Sequence, residues 1–207
     1  MGIAQEQADY AEYQVICERA MQHVCVSIQD YLSEIELSGQ KSPISSISTR
    51  IKTYESAKEK SRRRGFKLTP TSIRENLKDV AGIRIITLYE DDVYKVAEAI
   101  ETRLRLSTIS VKDYIKKKKA SGYRSLHIIV QREIFFGGKQ QIVPVEIQIR
   151  TIAMDFWATI EHDLAYKKPS NPNTKKGFSD LADYLANIDD SIMELRDTNN
   201  PSKNLPI

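Results

Sequence analysis

The sequence is short of cysteine and histidine, has no long apolar run, and carries almost no net charge. Each shortage removes a class of function. The two cysteines among 207 residues, Cys17 and Cys25, cannot build a metal cage alone and match no zinc-ligand spacing. Both fall in a helical pattern and read as buried free thiols, so a disulfide-stapled secreted fold is excluded and a reducing cytosol is expected. No apolar stretch approaches the roughly 20 residues that cross a bilayer. Met1 to Tyr13 is polar and acidic, without the basic start and apolar stretch of a signal peptide. The expectation is a cytoplasmic chain with no membrane partner. Lysine and arginine total 31 against 28 acidic residues, a net charge of +3, which is no polycation. Phosphate binding must then come from locally clustered charge. No G-x-x-x-x-G-K-[ST] occurs, which excludes a P-loop ATPase.

What is present is a globular composition, 41% hydrophobic and 29% charged, which argues against wholesale disorder. The length suits one domain, with or without helical extensions. Tyr13, Ile16, Cys17, Ala20, Val24, Ile28, Tyr31, Leu32 and Ile35 predict one long amphipathic helix over 8–37, stopped near Gly39. A weak strand over 45–51, a charged helix over 53–64 stopped at Gly65, and a short helix capped by Thr71 or Ser72 and ending near Leu77 follow. Gly82 to Leu88 is the clearest strand, rich in β-branched residues. A helix from Asp91 to about Leu104 leads to strands over 106–112, 125–131 and 141–150, the last two joined by a turn at Phe136 to Lys139. A helix over 151–167, a loop marked by Pro169 and Pro172, a helix over 178–196 and a frayed tail complete the chain. This order predicts an α/β fold of the α+β type, a mixed, roughly five-stranded sheet flanked by helices.

Four clusters carry chemistry. Arg50, Lys52, Ser56 and Lys60 stack cations and a hydroxyl along one face, as a polyphosphate requires, and the basic tract continues through Arg62, Arg63 and Arg64. Asp79 precedes the apolar strand that contains Arg84, offering a metal-binding carboxylate at a sheet edge and a guanidinium in need of a partner. Lys119, Gly122, Tyr123, Ser125 and His127 place an aromatic beside lysines, with Tyr123, Ser125 and His127 on one face of a strand. In Val145 to Arg150 the alternation is strict: Val145, Ile147 and Ile149 face the core, and Glu146, Gln148 and Arg150 the other side. Singly, each has a plain alternative: a solvated basic helix, a structural Asp–Arg pair, a rim aromatic, the polar face of an edge strand.

Together, R-x-K-x-x-x-S (50–56), D-x-x-G-x-R (79–84), D-Y-I (113–115), G-Y-R-S-L-H (122–127), V-E-I-Q-I-R-T (145–151) and M-D-F-W-A-T-I-E-H (154–162) closely resemble the synthetase domain of the RelA/SpoT homologue family. The resemblance covers about residues 43–168. It implies a nucleotidyltransferase-like synthetase domain between a helical extension at 1–42 and a C-terminal helix and tail at 169–207, as in the synthetase-only small alarmone synthetases. The implied reaction moves the β,γ-pyrophosphate of ATP to the ribose 3′-OH of GDP or GTP, giving (p)ppGpp and AMP. By position, Arg50 and Arg84 would sandwich the adenine, and Lys52, Ser56 and Lys60, helped by Lys112, would hold the ATP phosphates. Asp79 and Glu146 would hold Mg²⁺, with Glu146 also activating the 3′-OH. Tyr123 would stack on guanine, Lys119 would meet the acceptor's 5′-phosphates, and His127, Gln148 and Arg150 would lie near the acceptor.

The resemblance also implies a homotetramer built through terminal helices, whose apolar stripes a single small sheet does not obviously cover. The stretch Ser45 to Ser48 lacks an aromatic, and Asp155 stands where one branch carries a neutral amide. Both point to the RelP-type branch without activation by product. With only three histidines, His23, His127 and His162, alarmone hydrolysis is not expected. Ser110 to Asp113 leaves GDP against GTP open. Two other readings are a toxic relative that pyrophosphorylates the 3′ end of tRNA, guided by Lys116 to Lys119, and an inactive nucleotide- or RNA-binding regulator.

Overall fold

Strict alternation along one strand decides how this molecule is layered. In the computed structural model, which describes residues 3–104, 106–167 and 172–199, that strand sits at the centre of a five-stranded sheet. The elements in chain order are α1 (Ile3–Leu37), β1 (Ser46–Ile51), α2 (Tyr54–Arg64), α3 (Pro70–Asn76), β2 (Ala81–Thr87), α4 (Glu90–Thr102), β3 (Ser107–Asp113), β4 (Leu126–Phe136), β5 (Lys139–Thr151), α5 (Ile152–Lys167) and α6 (Pro172–Asn199). The sheet order is β1-β2-β5-β4-β3; only β2 and β5 pair in parallel, and the other neighbours are antiparallel. The mixed, helix-flanked sheet expected from the sequence is the fold observed.

Val145, Ile147 and Ile149 of β5, Ile83 and Ile85 of β2, and Ile128 and Val130 of β4 are buried in one core with Val93, Val96 and Ile100 of α4. The stripe of α1 closes the same core: Tyr10, Ile16, Cys17, Ala20 and Val24 are wholly buried. The sheet therefore covers the α1 stripe, contrary to the expectation that it would be left over. The burial of apolar area in such a stripe, about 25 cal/mol per Å², is what holds a helix this long in place. Cys17 is a buried free thiol, as expected, whereas Cys25 lies at the edge of the stripe and is only half-buried.

Local signals set the remaining boundaries. The Thr53 hydroxyl accepts the Ser56 N–H and caps α2, and Gly65 ends it at φ 73°, a left-handed conformation that glycine adopts without a Cβ clash. Helix α3 is capped by Thr69, not by Thr71 or Ser72, because Pro70 supplies a preset φ and lacks an N–H where the first turn has no use for one. The same logic starts α6 at Pro172, six residues before the expected 178; Pro169 and the tail beyond Asn199 lie outside the described residues. The β4–β5 hairpin is longer than expected and turns through Gly137 and Gly138, both at positive φ. Its base alone is flanked by β2 and β3.

Candidate active site

With one sheet face packed under α1 and α4, alternation turns the intervening side chains to the other. Arg84 on β2, His127 on β4, and Glu146, Gln148 and Arg150 on β5 share that face, and α5 forms its wall. In register, Gly82 lies beside Glu146 and Arg84 beside Gln148. The parallel pairing thus brings Asp79, just before β2, to the same end of the sheet as Glu146.

Asp79 is the centre of a cation cluster. Its Oδ2 lies 2.7 Å from Lys60 Nζ and 3.3 Å from Lys52 Nζ. Burial would push the carboxyl up, but the two ammonium groups prevail and hold it below the usual aspartate range. Its other oxygen, Oδ1, is buried with no hydrogen-bond partner among the described residues. Ser56, on the exposed side of α2, accepts the Thr53 hydroxyl proton and lines neither of the cavities described below.

Glu146 anchors the second cluster. His127 Nδ1 lies 3.2 Å from its Oε1, and Gln148 Nε2 donates to its Oε2 at 2.8 Å. Burial again pushes upward, and the His127 and Gln148 contacts hold the carboxyl below the usual glutamate range. Tyr123 Oη is 2.7 Å from His127 Nε2 and accepts from Arg150 Nη2 at 2.6 Å. Arginine can only donate, so the Tyr123 hydroxyl proton is free to point at His127 Nε2, which would place an Nδ1 proton toward Glu146. Arg150 is 4% exposed, and its remaining donors reach Gln148, Ser125 and Asp155. Asp155 Oδ1 is shared: it lies 3.1 Å from Arg150 Nη1 and 3.2 Å from Arg84 Nη1. The partner that the strand arginine needs is thus on α5, not at Asp79. Lys119 sits between two rings, 4.5 Å from the Tyr114 centroid and 4.4 Å from that of Tyr123, and burial pushes its ammonium pKa down.

Two cavities open on this face. The larger, about 550 Å³, is lined by Arg50, Asp79, Arg84, Tyr123, Glu146, Gln148 and Arg150, with Glu161 and His162 from α5. The smaller, about 160 Å³, is lined by Arg64, Lys112, Tyr114, Lys119, His127 and Glu146. Glu146 borders both. Lys52 and Lys60 reach the larger cavity through Asp79. The sequence singles out Arg50, Asp79, Arg84, Tyr123, Glu146, Gln148 and Arg150 of the larger cavity and Lys112, Lys119 and His127 of the smaller, whereas Glu161 and His162 of the α5 wall are legible only within the M-D-F-W-A-T-I-E-H motif. Asp155 was noticed as a departure but not as the link between two arginines, because side-chain pairing between a helix and a strand leaves no trace in spacing. Tyr114 was legible only as part of the D-Y-I motif.

A sequence model described as "Region found in RelA / SpoT proteins" matches residues 49–171. The Bacillus subtilis GTP pyrophosphokinase YjbM is 34% identical over 180 residues, spanning 86% of this chain and 84% of that protein. The B. subtilis GTP pyrophosphokinase YwaC is 42% identical over 125 residues, but this aligned stretch is 60% of each chain. Among solved structures, the B. subtilis small alarmone synthetase 1 bound to its product pppGpp superposes with a TM-score of 0.83 at 33% identity, over 90% of this chain and 96% of that one. A GTP pyrophosphokinase family protein from Streptococcus pneumoniae gives 0.84 at 32% identity over 98% and 97%. Motifs, fold and relatives converge, and the chain belongs to the RelA/SpoT family.

Proposed function

We propose that this chain is a (p)ppGpp synthetase that transfers the β,γ-pyrophosphate of ATP to the ribose 3′-OH of GDP or GTP. The observation that carries the reading is Glu146, a carboxylate held ionised at the border of two cavities, one holding the arginine pair and the other rich in cations. Arg50 and Arg84 flank the adenine; Lys52 and Lys60, with Lys112, hold the donor phosphates, and Ser56, turned to the outside of α2, takes no part. Tyr123 stacks on the guanine, Lys119 meets the acceptor's 5′-phosphates, and His127, Gln148 and Arg150 fix the acceptor beside Glu146. Glu146 takes the proton from the 3′-OH, whose oxygen bonds to the β-phosphorus of ATP as the bond from that phosphorus to the α,β-bridging oxygen breaks, and AMP leaves with that oxygen.

The residues fit Mg²⁺. Asp79 has an oxygen without a partner, and Glu146 is near enough to feel its charge. Two carboxylates with substrate phosphates are a usual set for this ion. Mg²⁺ held there supplies charge neutralisation for the transferring group.

Among the described residues no helix is long and apolar enough to cross a membrane, and the reading includes a cytoplasmic enzyme. Assembly as a homotetramer is part of it, supported by Tyr184, Ile188 and Leu195 exposed on α6. The test is a product assay with Mg²⁺ and γ-labelled ATP, offering GDP, GTP, GMP or bulk tRNA separately. Label on GDP or GTP supports the reading and ranks the acceptors; label on tRNA alone, or on none, overturns it.

A further inference from the structure

The acceptor platform, Tyr123, lies in the connection between β3 and β4, and three contacts tie that connection to α6. Gly122 turns at φ 94° so close to the helix that a Cβ there would lie 2.6 Å from the Ala182 Cβ and 3.2 Å from the Phe178 carbonyl. Lys118 pairs with Asp183 at the surface. Arg124, next to Tyr123, donates to Asp189 at 3.1 Å and to Glu90 at the start of α4. Asp189, 3% exposed, is the least exposed carboxylate residue among the described residues. The β3–β4 connection, α4 and α6 therefore meet at one ion network, none of whose members lines either cavity.

Burial pushes the Asp189 carboxyl up despite Arg124. A charge kept in such a place costs stability relative to an apolar side chain, so its use lies in fixing geometry.

We infer that Asp189 is a positioning residue for the acceptor: through Arg124 it seats the segment carrying Lys119 and Tyr123 on α6. This rests on the assignment of Tyr123 to the acceptor proposed above. Asp189→Asn keeps the shape and removes the charge that holds Arg124. The expected result is an increase of about tenfold in KM for GDP, with KM for ATP within about twofold and kcat at saturating GDP little changed. Gly122→Ala reaches the same interface by a different route, driving a methyl into Ala182, and gives the same acceptor-selective change. Trp157, the only tryptophan, is 2% exposed and donates to the Phe178 carbonyl, so its shielding from acrylamide reports whether α6 stays docked. Asp189→Asn leaves that shielding intact. A parallel rise in both KM values, an unchanged KM for GDP, or a newly exposed Trp157 in Asp189→Asn overturns the inference. Absence of transfer to guanosine nucleotides by the unmodified chain would instead overturn the functional reading, so the two failures are distinguishable.

Discussion

Glu146→Gln is the most direct probe of the proposed chemistry, because the structure limits what else it changes. The substitution conserves volume, and Glu146 forms no ion pair with Lys52 or Lys60, although it would share Mg²⁺ with Asp79. It does alter one hydrogen-bond pattern. Both oxygens now accept, from His127 and from Gln148. An amide has a single oxygen, so one of the two donors meets an NH₂ group. Gln148 cannot simply flip, because its own oxygen accepts from Arg150 at 2.7 Å. One lost hydrogen bond costs about 1 kcal/mol, or roughly 2–4 °C in Tm for a chain of this size. Loss of the general base is larger: kcat should fall by about 10²–10⁴, equivalent to about 3–5 kcal/mol of barrier. Single-turnover transfer from labelled ATP at saturating GDP measures the first effect, and calorimetric binding of a non-hydrolysable ATP analogue checks that the donor site is intact. A variant that binds the analogue normally and turns over within tenfold of the original would refute the role of Glu146.

Tyr123→Ala should raise KM for the acceptor by about 5–150-fold, the range of about 1–3 kcal/mol for base stacking, whereas Tyr123→Phe keeps the ring and should lose far less; steady-state kinetics with GDP separates them. Asp155→Ala removes the one oxygen that serves both Arg84 and Arg150, so KM for ATP and for GDP should rise together, by about fivefold each; a change in only one would show that the bridge is not shared in use. The Asp79 carboxyl lies below its unfolded value, so its stabilisation is complete above about pH 4 and fades as pH falls through the lower folded value. Lys60→Met lets that folded value climb, so the gap between urea midpoints at pH 7 and pH 3 should narrow; an unchanged gap would acquit Lys60. Ile28→Ala, at 1% exposure in the core beneath the sheet, should cost about 2–5 kcal/mol in urea unfolding without altering either KM.

Much of this molecule was legible because its information is local. Alternation at 145–150 and the run Gly82–Leu88 specify which side chains share a face, and the Asp79-to-Arg84 spacing follows once the strand is known. What was hidden depends on partners distant in sequence. The α1 stripe looked unpartnered because nothing in residues 8–37 announces the width of the sheet that covers it. Asp189 was indistinguishable from the exposed acids around it, and its burial follows from Arg124, 65 residues away. The cap of α3 lies two or three residues before the expected Thr71 or Ser72 because three hydroxyls surround Pro70, and only backbone geometry selects Thr69.

The single parallel pair in an otherwise antiparallel sheet has a consequence for folding quality. Asp79 and Glu146 are 67 residues apart in sequence, and the β2–β5 register brings them to the same end of the sheet. A slip of one residue in β5 would exchange its two faces, pressing Glu146, Gln148 and Arg150 into the layer beneath α1 and turning Val145, Ile147 and Ile149 to water. Buried unpaired charge makes that arrangement untenable. The polar row therefore proofreads the sheet: a chain that has settled into its stable register has, by the same event, assembled its chemistry.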